Sequence, residues 1–212
     1  MNSRRGSLRR SCLVVHADLP EFLASIVELF LTLALGVGSL IGSLYFVFDQ
    51  PVHGCLCFAF ANTVGSAAVF YLVARNWQTG DLSGGFCALN LLLGSLVFAV
   101  CSFTYLHPPL EDASAVGFLV GSLFFLFAGL ETLRKNGIGP YTAVRPWGAA
   151  WVPSGLTFLI SAVAYVLGSG LFLIGYLVEG SLAYLVGSIL SVVLAWCDIV
   201  NWIEAMSGVK TE

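Results

Sequence analysis

The sequence predicts an all-α fold, a polytopic membrane protein with six transmembrane helices arranged as three helical hairpins. Of its 212 residues, 58% are hydrophobic and only 10% are charged, whereas soluble proteins average roughly 25% charged residues. A helix needs about 20 predominantly apolar residues to cross a bilayer. Six continuous apolar segments meet this requirement, near residues 25–48, 52–74, 86–106, 113–133, 155–178 and 180–200.

The basic residues lie on one side of these six segments. All nine fall before the first segment or after an even-numbered one: Arg4, Arg5, Arg9, Arg10, Arg75, Arg134, Lys135, Arg145 and Lys210. Because basic residues are retained on the cytoplasmic face during insertion, this pattern predicts a multi-pass protein with both termini cytoplasmic. The expected partner is the lipid bilayer. Nucleic acid is not expected, because the chain has no basic stripe with interleaved aromatic residues.

Connection lengths divide the chain into hairpins and linkers. Short turns after the first, third and fifth segments predict antiparallel neighbours. Residues 134–154 carry several Gly, Pro and Trp residues, which predicts an irregular cytoplasmic linker with Trp147 and Trp151 at the headgroup level. A re-entrant or amphipathic segment is the alternative there. The predicted regions are a basic N-terminus (1–24), hairpins at 25–74, 86–133 and 155–200, the linker (134–154) and a cytoplasmic tail (201–212).

A Gly-Ser dipeptide occurs in every segment. At about 1.5 Å per helical residue, its distance from the nearest short turn places all six copies near the middle of the bilayer. Glycine lets two helices approach closely, and serine can bond to its own helix or to a neighbour, so we expect a helix-packing layer. The alternative is a polar ring that lines a conduction or substrate path. The layer comprises Gly42, Ser43, Gly65, Ser66, Gly94, Ser95, Gly121, Ser122, Gly168, Ser169, Gly187 and Ser188.

These repeats also carry a family resemblance. A segment ending in Gly-Ser-x-x-Phe, a short polar turn and a second segment bearing Gly-Ser resemble the YrhK-like domain, a two-span module of membrane proteins. The resemblance covers residues 35–70 and 91–134, and more weakly 164–191, where Ser191 replaces the final aromatic residue. It implies a membrane location and three degenerate tandem copies of a helical hairpin. It implies no catalytic residue.

Few ionisable groups lie inside the apolar segments. An ionisable residue there is by default a functional candidate, and Glu28 in the first segment is a candidate contact for a proton or cation. If the first membrane span begins at Leu29, Glu28 is instead an interfacial residue. Asn62 is the amide nearest the midplane and is a candidate polar contact or an interhelical hydrogen-bonding group. No metal site and no cofactor are predicted, because His, Cys, Asp and Glu lack metal-ligand spacing.

The N-terminal region carries a candidate regulatory site. Ser7 and Ser11 each follow paired arginines, the pattern that basophilic kinases require, and phosphate there would offset local positive charge. The arginines are also ordinary determinants of topology. A mitochondrial presequence is a third interpretation, because residues 1–17 contain Arg and Ser but no acid.

Two functions follow from these observations. The favoured one is a non-enzymatic structural or assembly module, packed through its Gly-Ser layer and able to form a homo-oligomer or bind another membrane protein. The alternative is a small transporter or channel that uses the midplane layer, with Glu28 or Asn62 as its polar contact. No enzyme is predicted, because the segments contain no recognisable nucleophile, base or zinc-binding motif.

Overall fold

The fold contains six long helices, a short 3₁₀ turn and a two-stranded sheet. The computed structural model describes residues 19–136, 141–144 and 150–207. The helices are α1 (Leu19–Val47), α2 (Pro51–Thr79), α3 (Leu82–Thr104), α4 (Glu111–Asn136), α5 (Ser154–Leu173) and α6 (Leu177–Ser207), with the 3₁₀ turn at Pro108–Leu110. All six are long and apolar enough to cross a membrane. This part of the predicted fold class is confirmed, and it indicates a multi-pass membrane protein.

Several helices extend beyond the predicted apolar segments. The connection between the second and third segments was expected to cover about ten residues, but only Gly80 and Asp81 separate α2 from α3. Gly80 has a φ of +74° at the end of α2, a left-handed conformation that glycine adopts without steric cost. Asp81 then caps α3 by accepting a hydrogen bond from the backbone N–H of Gly84 at 3.0 Å. Polar residues therefore continue α2 to this compact turn.

The helices form a closed antiparallel ring. Each helix packs against the next one in sequence, and α6 packs against α1. The closing contact is antiparallel, because Gly36 lies against Val192 while Ser43, further along α1, lies 3.2 Å from the earlier residue Ser188. The end of the ring where α1 begins and α6 ends is called the terminal end. The opposite end, with residues 48–50, 105–107 and 174–176, is called the turn end.

Glycine pairs hold three pairs of helices in close contact near the turn end. A Cβ atom at Gly168 would lie 2.9 Å from the carbonyl oxygen of Gly180 and 2.5 Å from Cδ2 of Tyr184. A Cβ atom at Gly180 would in turn lie 3.3 Å from Cδ1 of Phe172. Only glycine permits an approach this close. The same arrangement joins α1 to α2 and α3 to α4, and the three sets are Gly42/Phe46 with Gly54/Phe58, Gly94/Phe98 with Gly121/Phe125, and Gly168/Phe172 with Gly180/Tyr184.

The outside of the ring is apolar. Phe60, Phe70 and Leu167 are 67%, 65% and 58% exposed, and each lies on a helix of candidate spanning length. An apolar surface of this extent would be a liability in water. Lipid is the solvent that this surface fits.

The linker between α4 and α5 contains regular structure that the sequence reading missed. Tyr141–Val144 (β1) and Ala150–Pro153 (β2) form an antiparallel ladder, with Thr142 opposite Val152 and Ala143 opposite Trp151. An irregular segment was expected over these residues. Tyr, Thr, Val and Trp favour strands. Segments that contain these residues form β1 and β2 although the linker is rich in Gly and Pro. Trp147 lies outside the described residues.

Candidate binding cavity

The ring encloses a central cavity of about 390 Å³. All six helices contribute residues to its wall. Pockets for small molecules usually measure about 300–1,000 Å³ and have mostly apolar walls with a few polar groups. The cavity fits this description, with an apolar wall that includes Leu35, Leu72, Leu91 and Leu194.

Aromatic residues close the cavity towards the turn end. Phe58, Phe98, Phe125 and Tyr165 line it and also form or contact the buried aromatic cluster of the ring. The Phe98 ring lies 5.4 Å from that of Phe125 and 6.4 Å from that of Tyr165. This floor separates the cavity from the turn end.

Hydrogen-bonding groups lie on the wall above this floor. Asn62 is buried and donates from Nδ2 to the carbonyl oxygen of Phe58 at 2.9 Å. Its Oδ1 has no partner among the described residues. On the α5–α6 side, Ser161 lies 3.0 Å from Ser191 and donates to the carbonyl oxygen of Gly187 at 2.8 Å. The hydrogen-bonding groups of the wall therefore include residues of α2, α5 and α6.

Ser95 supplies a hydroxyl without a hydrogen-bond partner among the described residues. It is 1% exposed and lines the cavity. Ser43 and Ser169, which follow the equivalent glycines of α1 and α5, each donate to a carbonyl oxygen of their own helix at 2.9 Å. An unsatisfied buried polar group costs about 1–3 kcal/mol. A polar atom of a molecule in the cavity would remove that cost.

The cavity opens towards the terminal end. Asp198 lines it and is nevertheless exposed, which places this residue at the opening. Thr32, Thr132 and Phe158 lie on the neighbouring helices at the same end. Of the described residues that line the cavity, Asp198 alone carries a formal charge.

A smaller pocket of about 250 Å³ lies between α2, α3 and α4, also near the terminal end. Glu131 accepts a hydrogen bond from Ser83 at 2.6 Å and forms an ion pair with Arg134 at 2.6 Å. Cys87 lies 3.3 Å from the hydroxyl of Thr132. The polar groups of this pocket therefore already interact with one another.

Some residues of the Gly-Ser layer form contacts between helices, and others line the cavity. Ser122 lies 2.8 Å from Ser169 and joins α4 to α5. Ser66 donates to the carbonyl oxygen of Asn62 in its own helix at 2.7 Å. Of the twelve residues in the layer, Gly65 and Ser95 line the cavity. The structure thus does not form a pore from six hydroxyl groups at one depth.

The other candidate residues fall in different places. Asn62 lies on the cavity wall. Glu28 lies on α1 before the apolar stretch Leu29–Val47, and its side chain is not among those described. Ser7 and Ser11 lie outside the described residues. Among the described residues, no group of His, Cys, Asp and Glu is placed to hold a metal ion.

Several residues of the cavity were missed by the sequence reading. Ser39 and Ser191 line the cavity. They lie about one helical turn from two residues of the Gly-Ser layer, Ser43 and Ser188. Tyr165, Ser161 and Asp198 were not among the candidate residues of the sequence analysis. No local pattern distinguishes these residues, because the packing of the six helices decides which residues face the cavity.

No known protein family, curated protein or solved structure matches this chain. The resemblance to the YrhK-like domain therefore stays a prediction.

Proposed function

We propose that this chain is a non-enzymatic membrane carrier that holds a small solute in the central cavity. The observation that carries the proposal is a cavity lined by all six helices that contains the unpaired hydroxyl of Ser95. A ring used for packing alone would be expected to fill this space with side chains, because protein interiors are close-packed. Asn62 supplies a second polar contact, as the sequence suggested.

The helix arrangement and the basic residues extend this proposal. The glycine and aromatic sets recur in α1–α2, α3–α4 and α5–α6, which supports an origin as three copies of one helical hairpin. Internal repeats of this kind are common in transporters. Arg75 and Arg134 lie near the terminal end, and in the proposed orientation that end faces the cytoplasm, with both termini. The cavity then opens towards the cytoplasm.

Cysteine accessibility tests whether water reaches the cavity. Ser39→Cys and Ser191→Cys place thiols on the wall, whereas Ser43→Cys and Ser188→Cys place them about one turn away in helix contacts. In a background without native cysteines, a small water-soluble thiol reagent should label the first pair faster than the second. Because Ser39 and Ser43 both lie on α1, and Ser188 and Ser191 both lie on α6, each wall position has a control on its own helix at nearly the same depth. If neither Ser39→Cys nor Ser191→Cys is labelled while cysteines at turn residues are, the result would contradict a solute cavity.

The second candidate function is the structural or assembly module. The observation that favours it is the use of Ser122 and Ser169 in a direct contact between α4 and α5. This function predicts a dry interior, so silent wall positions in the labelling experiment would favour it. A stable homo-oligomer or a co-purifying membrane protein would identify the assembly.

A further inference from the structure

We infer that the solute is an organic monocation, an ammonium group on an apolar body, which the cavity binds with its charge at Asp198. This inference rests on the proposed carrier function and names the class of solute. The first argument is charge. Among the described residues, the cavity wall contains one carboxylate and no Lys, Arg or His, so a cation gains an attraction there and an anion is repelled.

The aromatic residues of the wall support the same class. Phe158 lines the cavity near the opening, and Phe125 and Tyr165 belong to its floor. Aromatic faces attract ammonium groups and also contact an apolar body. A hydrated inorganic cation would use neither property of this surface. The wall therefore favours an organic cation.

The dimensions limit the size of the solute. Asp198 follows Ser191 by seven residues along α6, which corresponds to about 10 Å along a helix. The volume of about 390 Å³ lies near the lower end of the range for small-molecule pockets. A single aromatic ring on a short amine chain fits between the two ends. Its far end would reach Asn62 and Ser95, where a hydroxyl could satisfy the unpaired Ser95 oxygen.

Three probes with one 4-hydroxyphenyl body isolate the effect of charge. Tyramine is cationic at neutral pH, tyrosol is its neutral alcohol, and 3-(4-hydroxyphenyl)propionate is the anion. Calorimetric titration of the full chain in maltoside micelles should show tyramine binding about tenfold more tightly than tyrosol, the effect of one charge-assisted hydrogen bond. The anion should bind most weakly.

Two variants assign the preference to Asp198. Asp198→Asn should bring the affinities of tyramine and tyrosol within about twofold of each other, because the charge is removed while the shape is kept. Glu179→Gln is the matched control, since Glu179 is an exposed carboxylate at the opposite end of the same helix. It should retain the preference. Competition by added phosphatidylcholine would identify a lipid ammonium headgroup as a natural occupant, and its absence would identify a free solute.

The outcomes separate this inference from the carrier proposal. Equal binding of tyramine and tyrosol, binding of none of the probes, or a preference that survives Asp198→Asn would overturn the inference of a cationic solute. Labelling of Ser39→Cys and Ser191→Cys would still support the cavity in that case. Silence at those two positions would overturn the carrier proposal itself.

Discussion

The two halves of the ring differ in what fills them. Towards the turn end, aromatic side chains occupy the interior, with the Phe46 ring 5.6 Å from Phe172 and the Phe58 ring 5.7 Å from Tyr184. Towards the terminal end, the interior is a cavity with an acidic residue at its opening. The same six helices supply both halves. The glycine and aromatic residues that recur in the three pairs of helices are the ones that fill the turn end.

Equivalent positions near the terminal end show how the halves came to differ. Seven residues before the repeated glycine of α3 and α5 stand Cys87 and Ser161, and these contact Thr132 and Ser191 at 3.3 and 3.0 Å. In α1 the equivalent residue is Leu35, which lies over Gly65. The contacting positions are equivalent in the three pairs of helices, while the residue types at them differ. The packing is therefore similar at the turn end, and the cavity wall at the other end is asymmetric.

The largest expected loss of stability comes from replacing an aromatic residue near the turn end. Phe98 is 2% exposed, and its ring lies 5.3 Å from that of Phe118. Phe98→Ala should lower the free energy of unfolding by about 3–5 kcal/mol, the usual cost of removing a buried phenyl ring. Denaturant unfolding in micelles measures this change. Phe60→Ala, at an exposed ring, is the control, and equal losses in the two variants would contradict the assignment of the aromatic cluster.

A smaller loss is expected at a glycine pair. Gly168→Ala places a Cβ atom 2.5 Å from Tyr184 and 2.9 Å from the Gly180 carbonyl oxygen, and such overpacking costs about 1–3 kcal/mol. Gly170→Ala is the matched control, because a Cβ atom there meets no heavy atom within 4 Å. The control should be neutral or slightly stabilising, since Ala favours helices. The difference in unfolding midpoint between the two variants measures the effect, and no difference would argue against close helix contact.

Serine substitutions compare a contact between helices with the cavity wall at one depth. Ser169→Ala removes contacts at 2.8 Å to Ser122 and 2.6 Å to the Tyr184 hydroxyl, and it should cost about 1–2 kcal/mol. Ser95→Ala removes an unpaired hydroxyl and should leave stability unchanged or raise it. Unfolding curves of the two variants give the comparison. A loss at Ser95→Ala as large as at Ser169→Ala would indicate that Ser95 is paired in the folded protein.

The smallest effect appears only at alkaline pH. Burial raises the pKa of Tyr105 from 10.0 to about 12, and the neighbouring Glu111 carboxylate adds to the shift. Because the folded protein holds this proton more tightly, the stabilisation is fully present below about pH 10 and is lost as pH rises towards 12. Absorbance titration of the phenolate, compared with Tyr105→Phe, measures the pKa. A phenolate that titrates at its ordinary value would contradict the proximity of Glu111.

The sequence predicted the helices better than the site. Six long apolar segments are strong signals, and their number matches the structure. Helix ends were less predictable, because polar residues after Ala74 continue α2 until Gly80. The Gly-Ser dipeptide directed attention to Gly65 and Gly187, whereas the structure pairs Gly42 with Gly54 and Gly168 with Gly180. The spacing Gly-x-x-x-aromatic in the even-numbered helices was the signal for that register.

Residues of the cavity could not be identified in the same way. Ser39 and Ser43 are both serines of one helix, and only the packing of α1 against its neighbours decides which of them faces the cavity. Asp198 follows a long apolar run and has no local motif around it. Its position at an opening depends on five other helices. Such properties belong to the assembled ring and not to a local pattern.

The contact between α6 and α1 gives the protein an order of assembly. Because α1 is synthesised first and α6 last, the contacts between Ser43 and Ser188 and between Gly36 and Val192 form after every other helix is available. Until then, the face of α1 that carries Ser39 and Ser43 has no neighbour on that side. The cavity is therefore not enclosed until α6 has joined the other five helices. The helix α6 is one of six that form the cavity wall. Truncation before α6 would nevertheless leave no enclosed cavity.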